Sequence, residues 1–203
     1  MALSAGPTEL CLSNKNCSAI FFLTIHKTKM NDQEKFVCRE LIVLAWAASV
    51  QRSKLYDSKY GKPKDAINAF RSSLVDYFEK SLLKSYTTNC PEDQHIQNLE
   101  DFSNHGTQEG VNLLGPDGYK LGVAQKFLNL MLKYLWCIGK IPEPPHCPVD
   151  RIIISKTDLR GKMNWTEIKT TCEYKTAIGA IRKTAKKAGL SIAQWELKEF
   201  FRR

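Results

Sequence analysis

No apolar stretch of this chain approaches the roughly 20 residues that a helix needs to cross a bilayer. The two longest, Ala19–Ile25 and Leu41–Val50, fall well short, so no membrane anchor is expected. The seven cysteines are odd in number and include no Cys-x-x-Cys pair. Reduced thiols in a cytosol, and hence a cytoplasmic protein, are the simplest expectation. Met1–Asn14 lacks the basic start and apolar run of a secretory signal. His146 and Cys147, with His105 and Cys137, raise the question of zinc, but ligand pairs at metal spacing are missing. Cys137, Cys147 and Cys172 likewise lack the close spacing of an iron–sulfur loop. Neither a metal nor an organic cofactor is therefore expected. There is no internal repeat, no low-complexity tract and no parallel-sheet pattern.

Acidic residues are scarce in the last third. Of the formal net charge of +9, residues 1–100 carry +2, residues 101–150 carry −1 and residues 151–203 carry +8. A positive field concentrated at one end attracts polyanions, phosphate backbones most commonly and anionic membrane surfaces next. DNA is the first partner to expect and RNA the second.

At 203 residues and 43% hydrophobic content the chain can bury a real core. Residues 1–30 read as an N-terminal extension. Its run AIFFLTI suits a short strand pair or an extended segment packed on the body. Residues 31–203 read as a helical core with a basic C-terminal helical region. Asn31 or Asp32 can cap a helix reaching to about Tyr60, with Val37, Leu41, Leu44 and Ala48 at helical spacing and Gly61 as its stop. Pro63 opens a second helix carrying Ile67, Phe70, Leu74 and Tyr77. A short helix is expected after Pro91, then a loop through Asn104, Gly106, Gly110, Gly115, Pro116 and Gly118. Gly122–Ile138 is apolar nearly all round, which places it at the centre of the core. The proline cluster of Ile141–Pro148 forms an extended connector delivering Asp150. Arg151–Ile154 fits a strand or a helix start. Lys175–Ala188 is amphipathic, with Arg182, Lys183, Lys186 and Lys187 outside. Ser191 and Gln194 form a capping box for a last helix burying Ile192, Trp195 and Phe200. The fold class is thus all-α, with about seven helices around the central apolar one.

One constellation bears on chemistry: Leu121-Gly122-Val123-Ala124-Gln125-Lys126 and, beyond the central helix, Cys147-Pro148-Val149-Asp150. It resembles the helix-hairpin-helix DNA glycosylase superfamily. There, a Gly-apolar-Gly hairpin is followed one residue on by a catalytic lysine, and a Pro-Val-Asp supplies the catalytic aspartate. Ala124 replaces the second glycine here, and the interval from Lys126 to Asp150 is longer than the family's. The resemblance covers about 30 of the 203 residues. It implies Lys126 as nucleophile and Asp150 as its electrostatic partner. It also implies amides of Gly122, Val123 and Ala124 on a DNA phosphate, with Arg151 and the Arg182, Lys183, Lys186, Lys187 face adding phosphate contacts. An everted base needs a stacking or apolar neighbour, for which Tyr119, Phe127, Trp136 and His105 are candidates.

Each of these residues also has a structural reading. Lys126 can be a helix-surface lysine whose stem covers apolar neighbours, Asp150 a helix cap and Gly122 the end of a turn. The basic helix face can be solvated surface, and the four tryptophans core or rim packing. The leading expectation is a DNA N-glycosylase or abasic-site lyase acting on a damaged or modified base. The alternative is a non-catalytic helical protein binding DNA or RNA through its C-terminal basic face. A third reading is an interaction subunit with an acidic protein partner.

Overall fold

The computed structural model describes residues 31–61 and 63–201, so the expected N-terminal strand pair lies outside the described residues. Among them the chain is mainly helical, with seven α-helices and a single isolated β-bridge between Tyr56 and Leu114. No helix among them is long and apolar enough to cross a membrane.

Helix α1 (Asp32–Val50) opens with a capping box: Asn31 Oδ1 accepts from the Glu34 amide at 2.8 Å, and the Glu34 carboxylate accepts from the Asn31 amide at 3.1 Å. It ends well short of Tyr60. Gln51 turns extended, and Arg52 and Lys54 take positive φ values of 66° and 49°. Side-chain sterics disfavour that backbone, and a tertiary pairing holds the segment that follows it. Asp57 N donates to Leu113 O at 3.1 Å, and Gly115 N donates to Leu55 O at 3.0 Å.

Helix α2 (Lys64–Tyr77) follows Pro63, and the path continues through a π turn (Phe78–Leu82) and a 3-10 turn (Leu83–Tyr86). Helix α3 (Glu92–Glu109) runs further than the glycines suggest and contains both Asn104 and Gly106. A Cβ on Gly106 would lie 2.4 Å from Cδ1 of Tyr119, so a glycine here serves close packing inside a helix rather than a turn.

Helix α4 (Leu121–Cys137) is the central apolar helix, contacted by α1, α3, α6 (Thr171–Lys187) and the 3-10 turn Trp165–Glu167. Val123, Phe127, Leu128 and Leu132 are fully buried. Edge-on rings tie its neighbours together. Trp46 of α1 meets Phe127 at 5.4 Å and Phe70 of α2 at 5.9 Å, and Tyr119 meets Phe70 at 5.6 Å and Phe102 of α3 at 5.9 Å. Each such side chain contributes roughly 1.5–3 kcal/mol of burial.

The connector after α4 runs without regular structure to the single-turn helix α5 (Arg151–Ile154). Capping boxes at Thr170 with Glu173 and at Ser191 with Gln194 open α6 and α7 (Ile192–Glu199).

Candidate active site

The polar residues of α4 are few and ordered. Gln125, Asn129 and Lys133 recur at four-residue spacing, which sets them on one face of an otherwise apolar helix. The first two hold the connector. Gln125 Nε2 donates to Val149 O at 2.7 Å and to Gly122 O at 2.9 Å, while Val149 N donates to Gln125 Oε1 at 3.0 Å. Asn129 Nδ2 donates to Cys147 O at 3.1 Å. A side-chain amide offers both a donor and an acceptor, so Gln125 satisfies both backbone groups of Val149 as a neighbouring strand would. The connector is thereby clipped along α4.

This clip delivers Asp150. Its backbone is extended (φ −140°, ψ 179°), and its Oδ1 caps α5 by accepting from Ile152 N at 2.9 Å and Ile153 N at 3.0 Å. Its Oδ2 lies 3.5 Å from Lys126 Nζ, and both side chains are largely buried. On another side of Lys126, the ammonium lies 4.3 Å from the centre of the Trp165 ring, an arrangement favourable to a cation.

Gly122 is what allows Trp165 to come so near. It lies in the first turn of α4, and a Cβ there would stand 2.0 Å from Trp165 O. Its amide donates to Ile168 O at 2.9 Å, and those of Val123 and Ala124 both donate to Lys120 O, at 2.9 and 3.0 Å. Gly122, Val123 and Ala124 are buried. The expected hairpin of phosphate-binding amides at these three residues is therefore corrected: the segment is helical and its amides bond within the protein. The glycine serves a close crossing of chain segments.

A second buried chain of hydrogen bonds runs outward from Asn129. Asn129 Nδ2 donates to Tyr174 Oη at 3.1 Å, which leaves the phenol proton for His146 Nδ1 at 2.9 Å. His146 Nε2–H then donates to Glu92 Oε1 at 3.2 Å, a tautomer assigned from the network. Burial pushes the His146 imidazolium pKa down to about 4, against the opposing pull of Glu92, so the ring is neutral near pH 7. The hydrogen bond from Arg182 is the main cause holding Glu92 below the usual carboxylate range.

The basic residues of α6 lie at the surface, where Arg182 meets the outer end of that chain of hydrogen bonds. Arg182 is 2.7 Å from Glu92 and Lys183 is 3.2 Å from Asp158, while Lys186, Lys187 and Arg151 are exposed. The proposed base-stacking residues are committed elsewhere. Tyr119 and Phe127 are fully buried in the core, Trp136 is half-buried, and His105 stacks on Tyr77 at 4.1 Å and bonds Ser73 Oγ at 3.2 Å. The aromatic ring beside Lys126 is Trp165. No spacing in the sequence singled it out, because it arrives from a 3-10 turn 39 positions further along the chain.

Set against models of known protein families, curated proteins and solved structures, the chain matches none of them.

Proposed function

We propose that this protein binds DNA and excises a damaged or modified base as an N-glycosylase with abasic-site lyase chemistry. Lys126 is the nucleophile and Asp150 its electrostatic partner. The observation that carries the reading is the juxtaposition of Lys126 Nζ and Asp150 Oδ2 at 3.5 Å, between residues remote in sequence. Having passed a proton to solvent, the Lys126 amine attacks C1′ of an everted nucleotide. The glycosidic bond breaks, and the base departs with its bonding electron pair and takes up a proton. Asp150 offsets the positive charge that builds on the sugar. The nitrogen then loses its extra proton, the sugar ring opens as O4′ takes up a proton, and an imine forms between Lys126 and C1′; loss of a C2′ proton forms the C2′–C3′ double bond as the 3′-phosphate departs with the C3′–O electron pair. Phosphate contacts come from Arg151 and from the α6 face of Arg182, Lys183, Lys186 and Lys187.

The rival reading has its own support: Asp150 caps α5 while Lys126 rests against Trp165, which suits a structural clasp in a non-catalytic protein that binds DNA or RNA through α6. Borohydride trapping on duplex DNA with an abasic site separates the two. Wild type is expected to form a stable cross-link that the Lys126→Ala variant forms roughly a hundredfold less. A Lys186→Ala/Lys187→Ala variant is expected to bind more weakly yet still trap at saturating protein. Equal, weak trapping by wild type and Lys126→Ala overturns the lyase reading and leaves the binding protein.

A further inference from the structure

Helix α1 is apolar on both sides. Cys38, Ala45 and Trp46 are buried in the core, whereas Phe36, Val37, Val43 and Leu44 stand 56%, 41%, 45% and 41% exposed. At 100° per residue these four, with the exposed Ala47, fall on one solvent-facing arc of about 120°, which Gln33 and Glu40 share. Apolar side chains scattered singly on a surface need no explanation, but a stripe along one helix marks a contact.

We infer that this stripe is the docking surface for the chain's own Ala19–Ile25 segment, AIFFLTI. Two considerations select that occupant over a second copy or another protein. It is an uncharged, strongly apolar run outside the described residues, and the five residues His26–Met30 tether it to Asn31, the cap of α1. The reach suffices: five residues span up to about 17 Å, and the stripe from Phe36 to Ala47 is about 16 Å long. A seven-residue run covers up to about 23 Å when extended. A tether of this length holds the run near the face at an effective concentration in the millimolar range, above that of any intermolecular partner.

The test uses the full chain with a benzophenone amino acid in place of Val43. After irradiation, the Glu40–Arg52 tryptic peptide is expected to be joined to the Asn16–Lys27 peptide in monomeric protein. A Phe21→Asp/Phe22→Asp change should lower that yield roughly tenfold without altering the helical circular dichroism. It should also raise the binding of an apolar fluorescent dye. Cross-links between two Glu40–Arg52 peptides in a covalent dimer would assign the face to a second copy. Absence of any link to Asn16–Lys27, with efficient photolysis, overturns the proposal equally.

Discussion

Lys126 and Lys133 stand about two turns apart on α4. Each has a carboxylate and an aromatic ring against its ammonium, yet the two pairs differ in closure. Lys133 Nζ is 2.9 Å from Glu196 Oε1 and 2.7 Å from Oε2, with the Phe200 ring at 4.8 Å. Glu196 is 2% exposed, and burial pushes its carboxyl up, opposed by Lys133. Lys126 and Asp150 are 3.5 Å apart, and the aspartate divides its oxygens between the lysine and two backbone amides. The first pair locks α7 onto α4. In the second, the carboxylate is also held in place by two backbone amides, so its position rests on the α5 cap as well as on the lysine.

Truncation should expose that difference. Lys133→Ala leaves Glu196 buried without its cation and is expected to cost about 3–5 kcal/mol in urea unfolding. Lys126→Ala leaves Asp150 capping α5 and is expected to cost only about 1 kcal/mol. Equal losses would erase the distinction between a lock and a site.

Glu79 sharpens the comparison because it is a buried carboxyl that makes no ion pair among the described residues. Burial, then repulsion from Asp76, raises its pKa from 4.5 to about 8, with Lys80 partly opposing. A carboxyl whose folded pKa is raised favours folding below the unfolded value, and that contribution is lost as pH rises through the folded one. Stability is therefore expected to fall between about pH 4.5 and pH 8 by an amount on the order of 5 kcal/mol. The Glu79→Gln variant should flatten that slope, as read by urea midpoints across the range.

The smallest stability effect is expected at the site itself. Asparagine caps helices about as well as aspartate, so Asp150→Asn should change stability by less than about 1 kcal/mol. It removes the charge facing Lys126, and base release is expected to fall roughly a hundredfold or more. A large stability loss together with unchanged chemistry would make Asp150 a cap alone.

Helix content, the central place of α4 and the bias of positive charge toward residues 151–203 were legible in the sequence, because apolar periodicity, capping residues and net charge are local properties of the chain. The Ser191–Gln194 box could be read directly, four residues being enough to specify it. The end of α1 could not, since it depends on pairing with Leu113 and Gly115. Nor could the helical Gly106, whose small size matters only against Tyr119. The motif resemblance singled out Lys126 and Asp150 as residue types at positions. Their separation, the Gln125 and Asn129 clip that sets it, the crossing at Gly122 and the approach of Trp165 were decided by tertiary structure alone. Each joins segments distant in sequence, and such contacts depend on loop closure and packing of the whole core rather than on local preference.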